Sequence, residues 1–206
     1  MYPKIFADYF RGFERSQEVF VAMPFSPDAE PRWRSIFSPA IRSIRLRPFR
    51  VKDRQISDSI LTDILAGIGR ARLILVDVSF ERQEERPPGP NPNVMYELGL
   101  AHAMRLPEEV VVVRGDSEKA EPPFDISQVR YHRFQAERPR RAVTQIRSLL
   151  RQSERTLDAT RDLIVGRSLR SLDPDAIRFL WAVRNHDSFD LAVFDPDRNG
   201  LYGLGA

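Results

Sequence analysis

Asparagine at 91, proline at 92 and glutamate at 97 are spaced to set a carboxylate near the start of a helix. In Asn91-Pro92-Asn93-Val94-Met95-Tyr96-Glu97-Leu98-Gly99-Leu100-Ala101, Asn91 suits the N-cap and Pro92 the first helical position. Glu97 then falls in the second turn, where a helix N-terminus favours the anion. A carboxylate held there can stabilise a neighbouring cation or attack an electrophilic carbon. The other reading is a glutamate on the exposed helix face beside Arg105 or another cation. Two aspartates extend the set, because each follows an apolar run: Asp77 after Leu73-Ile74-Leu75-Val76, and Asp53 after Phe49-Arg50-Val51. At the C-terminal end of a parallel strand, an acidic side chain can bind hydroxyls or exchange a proton. It can equally cap a loop. Pro24-Phe25-Ser26 adds an aromatic face and a hydroxyl, although packing alone also accounts for Phe25.

These side chains need one sheet edge to share, and the hydrophobic pattern supplies it. Residues 19–23, 49–51, 73–78, 109–113 and 129–134 read as short buried strands. Between them, Trp33, Ile36, Phe37, Ala40, Ile41 and Ile44 repeat at helical spacing, with Pro39 marking a kink or a late start. Ile56, Ile60, Ile64, Leu65 and Ile68 mark a second helix ending near Gly67 or Gly69, and a third runs from Asn91 to about Arg105. Gly99, Ala101 and Ala103 leave room for that third helix to pack close to the sheet. Ala142, Ile146, Leu149 and Leu150 define a fourth. Alternating strands and helices predict an α/β fold, a flavodoxin-like or Rossmann-like doubly wound parallel sheet of about five strands. Its ligand crevice lies at the C-terminal ends of the strands. Residues 80–90, rich in Glu, Arg and Pro, read as a loop that is either a lid or a surface excursion.

Three regions follow: a lead-in over 1–17, the α/β domain over 18–154, and a small helical C-terminal appendage over 155–206. In the last, Asp173-Pro174-Asp175 starts a helix carrying Ile177, Leu180, Trp181 and Arg184, and residues 191–194 form a short strand. The appendage suits partner binding or self-association.

The ordered segments resemble the nucleoside 2-deoxyribosyltransferase-like family. The resemblance covers about residues 19–113 and is carried by Val21-Ala22-Met23-Pro24-Phe25-Ser26, Pro39-Ala40-Ile41, Val51-Lys52-Asp53, Asp77 and residues 91–103. TIR-type NAD-cleaving domains, with a similar layout and a helix-borne glutamate, are a neighbouring comparison. The resemblance implies N-glycosidic cleavage or transfer on a nucleoside, nucleotide or NAD-like molecule. Such cleavage develops oxocarbenium character at the sugar, as in glycoside hydrolysis. Glu97 is then nucleophile or cation stabiliser, and Asp77 positions the sugar or relays a proton. Pro24, Phe25, Ser26, Asp53, Asn91 and Asn93 line the substrate. Two positions depart from the pattern. Asn91 stands where the transferases commonly carry aspartate, six residues before the glutamate, so it can orient a substrate but not act as a base. Asp58 and Ser59 stand where similar sequences often carry glycine. The departures leave open a non-catalytic nucleotide sensor that engages a protein partner, or a scaffold with a vestigial pocket. A homo-oligomer, and a role as a bacterial defence or stress effector, follow from the resemblance alone.

Composition narrows the rest. With 206 residues, 42% of them hydrophobic, the chain can bury one ordinary core. No cysteine is present, which excludes disulfides, thiolate metal sites and cysteine nucleophiles. The 32 basic residues nearly balance 29 acidic ones, so the arginine clusters at 42–50 and 138–141 read as solvated faces, and nucleic acid is not an expected partner. No run approaches the roughly 20 apolar residues of a membrane span. Met1-Tyr2-Pro3-Lys4 lacks a signal-peptide pattern, so a cytoplasmic protein is expected. His102, about 140° round the helix from Glu97, is expected to pack, and His132 and His186 lack companions at ligand spacing. Residues 195–200 resemble an EF-hand start, but Ala206 occupies the twelfth position, so a turn is expected there. Neither a metal nor a cofactor is implied.

Overall fold

Five short strands line up in parallel, and the three central ones carry apolar runs buried on both faces, Val19–Ala22, Leu73–Val76 and Val111–Val113, while the two edge strands are shorter and partly exposed. The computed structural model describes residues 15–53, 59–83, 86–116, 129–177, 194–195 and 200–201. The expected lead-in therefore lies largely outside the described residues, as do Ile56, Asp58, Leu180, Trp181, Arg184, His186 and residues 191–193. The elements are β1 (Ser16–Ala22), a continuous helical run α1 (Glu30–Arg32, Trp33–Phe37 and Ser38–Arg42) and β2 (Arg47–Phe49). Then come α2 (Ile60–Arg70), β3 (Ala71–Asp77), a hairpin of β4 (Phe80–Gln83) and β5 (Arg86–Pro90), and α3 (Pro92–Met104). β6 (Val110–Arg114), β7 (His132–Arg133) and α4 (Pro139–Ser171) follow.

The sheet order is β2-β1-β3-β6-β7, with every pairing in it parallel. This is the flavodoxin-like order, whose topological switch point lies between β1 and β3. The two faces of the strands feed two cores. Val19, Val21, Leu73, Leu75, Val111 and Val113 pack under α1 and α4 through Ile36, Phe37, Ile41, Ala142, Ile146 and Leu150. Phe20, Ala22, Ile74, Val76 and Val112 pack under α2 and α3 through Ile64, Ile68, Val94, Leu98 and Ala101. The doubly wound fold expected from the sequence is the fold of the protein.

Several boundaries moved. Pro39 does not delay α1: the run starts at Glu30, and Ser38 N–H donates to the Trp33 carbonyl, five residues back. A π-type segment, Trp33–Phe37, thus lies just before the proline, which sits in the first turn of the helical stretch that follows. α2 begins later than its apolar repeat, capped by Ser59, whose hydroxyl accepts from Thr62 N–H at 3.4 Å. The segment read as a loop at 80–90 is an antiparallel hairpin, with Phe80 opposite Pro90 and Glu81 opposite Gly89. The fifth strand shrinks to two residues. At the N-terminal side of the sheet, buried Arg105 donates twice to Glu109 at 2.7 Å and once to the Ala71 carbonyl at 2.7 Å. That clamp fixes the end of α3 against the start of β3.

Two compact units divide the chain, Met1–Leu157 and Asp158–Ala206. The expected boundary at 154/155 falls inside α4, which is continuous. In the second unit, Asp173 caps a helical turn by accepting from Ala176 N–H at 2.7 Å. Phe194–Asp195 pairs antiparallel with Gly200–Leu201, two short strands bracketing the segment expected to turn. Among the described residues, no helix is long and apolar enough to cross a membrane.

Candidate active site at the C-terminal edge of the sheet

α3 connects parallel strands β3 and β6, so it runs antiparallel to them and begins at their C-terminal edge. Asn91 is its N-cap, as expected: the side-chain oxygen accepts from Asn93 N–H at 3.0 Å and Val94 N–H at 3.4 Å. Pro92 occupies the first turn, where no donor is needed. Glu97 lies about 60° from Val94 and about 40° from Ala101 around the helix. Those two residues face the sheet, so the carboxyl of Glu97 is carried toward it. It is 8% exposed and makes no hydrogen bond or ion pair among the described residues. Burial pushes its pKa up to about 7. The helix N-terminus should favour the anion, but desolvation outweighs it. Arg105, the cation named as an alternative neighbour, is engaged with Glu109 instead. Of the three small residues expected to let α3 approach the sheet, only Ala101 is buried; Gly99 faces open space and Ala103 is exposed.

Asp77 ends β3 and is fully enclosed. Its Oδ2 accepts from Arg32 Nε at 2.8 Å, and its Oδ1 accepts from Ser79 N–H at 3.1 Å and from the Ser79 hydroxyl. Ser79 in turn accepts from Gly115 N–H at 2.8 Å, tying β3 to the end of β6. Both oxygens of Asp77 are thus committed. Arg32 Nη2 is buried beside it without a hydrogen-bond partner among the described residues. A buried, unsatisfied guanidinium N–H offers a donor to an incoming acceptor.

Asp53 takes a two-point ion pair from Arg50, both bonds 2.8 Å. Arg50 also donates to Glu30 at 3.0 Å and lies 4.0 Å from the Trp33 ring centroid. Hydrogen bonds from Arg50 and then Arg34 hold the Glu30 carboxyl below the ordinary carboxylate range. The first turn of α1 therefore serves both aspartates, Arg32 reaching Asp77 and Glu30 reaching Arg50 and through it Asp53. Asp53 itself lines a groove of about 310 Å³ with Glu18, Arg42 and Arg47 beside β2. Pro24 is buried. Phe25 is half exposed, with Lys52 Nζ 5.9 Å from its ring centroid.

The hairpin adds what sequence reading overlooked. Glu81 accepts from the Ser26 hydroxyl through one oxygen and from Asn91 Nδ2 at 3.3 Å through the other. Two expected ligand-lining residues, on the loop after β1 and at the cap of α3, are thus joined by a third from β4. The hairpin base is anchored as well: Phe80 N–H donates to Asp116 at 2.8 Å, and Asp116 accepts from Arg114, which stacks 3.8 Å from the Phe80 ring centroid. Arg32, Glu81, Arg114 and Asp116 carried no local motif. Their partners lie far along the chain or depend on the sheet closing, and the charged run around Glu81 was the only hint.

Other chemistry lies elsewhere. A cavity of about 620 Å³ between β6, the end of α3 and α4 is lined by His102, Arg105, Val111, His132, Leu149 and Thr156, among others. None of the candidate residues lines it. His102, expected to pack, is exposed and faces this cavity because the helix turns it away from the core. No group of three metal-ligating side chains occurs among the described residues. Neither a scan against protein-family models nor a search of curated proteins finds a match to this chain.

Proposed function

We propose that the protein cleaves or transfers the N-glycosidic bond of a nucleoside, nucleotide or NAD-like substrate, with Glu97 acting at the anomeric carbon. The observation that carries this reading is a buried carboxyl with no partner among the described residues, on the strand-facing side of a helix that begins beside the sheet's switch point. A structural carboxylate at such depth normally takes a cation, as Glu109 does from Arg105. Glu97 is left for an external one, and the oxocarbenium-like centre of glycosidic cleavage supplies that charge. Ser26, Asn91 and Glu81 would hold the sugar. Arg32 Nη2 would donate to an acceptor on the substrate, while Asp77 orients that guanidinium.

A second reading, nucleotide sensing without turnover, is favoured by one observation: Asp77 is fully enclosed, ion-paired with Arg32 and bonded to Ser79, so it offers no accessible general base. Chromatography of reactions with NAD, nucleoside monophosphates, nucleosides and 2′-deoxynucleosides separates the two. Release of free base that falls by about 10³-fold in Glu97→Gln supports the enzyme. Saturable binding without release in the wild type supports the sensor, and release undiminished in Glu97→Gln removes Glu97 from its role.

A further inference from the structure

The strand-end carboxylates of this sheet are consumed by arginines: Asp77 by Arg32, Asp53 by Arg50 and Asp116 by Arg114. Glu81 has no ion pair among the described residues, although it sits among them. Its two oxygens instead each accept one bond from a neutral donor, Ser26 on one side and Asn91 on the other. A carboxylate has about four acceptor positions, so roughly two stay open. The backbone that carries Glu81 is held from both ends. Ser79 and Phe80 are tied to Asp77, Gly115 and Asp116, and β5 runs through Pro90 directly into the cap of α3. An anionic acceptor is thereby fixed over the switch point between the β1 loop and the start of the Glu97 helix.

We propose that Glu81 recognises the sugar by accepting hydrogen bonds from the 2′- and 3′-hydroxyls of a ribose, making the site selective for ribo- over 2′-deoxyribo-substrates. This rests on the glycosidic reading above and names its sugar. Two adjacent oxygens on one carboxylate match two adjacent hydroxyls of a cis-diol, and the neutral groups now bonded to Glu81 can share it with them without separating an ion pair. Hydrogen bonds to the 2-hydroxyl strengthen as the oxocarbenium develops, so the effect falls on kcat more than on KM. A site built around a sugar hydroxyl rejects the analogue that lacks it, because its acceptor is then left poorly satisfied.

The test compares inosine with 2′-deoxyinosine and AMP with dAMP, in wild type, Glu81→Ala and Glu81→Gln, each checked by thermal unfolding. Relative to wild type, Glu81→Ala should lower kcat/KM on the ribo member at least tenfold and change the deoxy member by less than about threefold. Glu81→Gln, which keeps one oxygen and the tether, should fall between them and serves if Glu81→Ala does not fold. Equal losses on both sugars would make Glu81 a mere hairpin tether and overturn the proposal. Should no base be released from any substrate, the glycosidic reading fails separately, and calorimetric binding of AMP against dAMP decides the sugar question. There, tighter AMP binding that is lost in Glu81→Gln supports Glu81 as the diol acceptor, whereas equal affinities or no binding overturn it.

Discussion

At residue scale, the energetics centre on Glu97. Its carboxyl has a pKa of about 7 in the folded chain and an ordinary value of 4.5 when unfolded. Between those values the native state holds more protons than the unfolded state, so stability falls as pH rises through this window and levels off above about 7. The loss is on the order of 3 kcal/mol, from a shift of roughly 2.5 units. Glu97→Gln keeps the shape and removes the titration. In urea denaturation the variant should therefore exceed wild type by about 2–3 kcal/mol at pH 8, with the difference closing toward pH 4.5. A constant difference across pH would mean that Glu97 is ionised in the fold throughout. Catalysis has the opposite pH sense. If Glu97 acts as the anion, kcat/KM should rise with pH to a plateau, with an inflection near 7 in the free enzyme. A profile falling through 7 would make it a proton donor instead. A group that costs stability in the charge state needed for reaction is what a functional carboxylate is expected to be.

At the scale of elements, two mid-helix glycines make opposite predictions. A Cβ on Gly67 of α2 would lie 2.7 Å from Phe20 and 2.8 Å from Phe49, on the aromatic pair that seats this helix on β1 and β2. Overpacking costs about 1–3 kcal/mol, more than the roughly 1 kcal/mol that alanine returns in helix propensity. Gly67→Ala should therefore lower the unfolding free energy. Gly99 of α3 meets nothing within 4 Å, so Gly99→Ala keeps only the propensity term and should stabilise by about 1 kcal/mol. Chemical denaturation of the pair checks both signs. The same contrast marks what was legible in the sequence. Apolar strands and the Asn91 cap are local signals, and they placed four of the five sheet strands to within a few residues. β7 is only two residues long because its pairing ends where its chain leaves β6, which periodicity does not encode. The hairpin was missed because Arg86-Pro87-Pro88-Gly89-Pro90 looks like a strand breaker, yet its mates Phe80 and Glu81 are held by Asp116, Ser26 and Asn91. Glu97 was visible through its cap, whereas Arg32 could not be paired with Asp77, 45 residues away, until the sheet order was known.

For the whole molecule, the sheet order decides where the chemistry sits. Because β1 and β3 are neighbours whose connections diverge to opposite faces, α1 and α3 approach the same edge from two sides. Arg32 and the Asn91 cap of α3 thus reach that edge from separate layers. Every residue of that edge belongs to the first unit, Met1–Leu157. α4 runs on beyond it, but among its described side chains the buried ones, Ala142, Ile146 and Leu150, all precede the division. No residue from 158 to 177 whose side chain is described is buried, and Leu163 is 59% exposed. The first unit should consequently hold its own core. A chain ending after Leu157 should unfold in one cooperative transition, within about 5 °C of full length, since a 1 kcal/mol loss shifts a domain of this size by only a few degrees. Its kcat/KM for base release should stay within about twofold. A native-like transition with activity lost would show that the second unit completes the site or holds the copies of an assembly together. Loss of the transition itself would show that the α/β unit depends on residues beyond Leu157 for its fold.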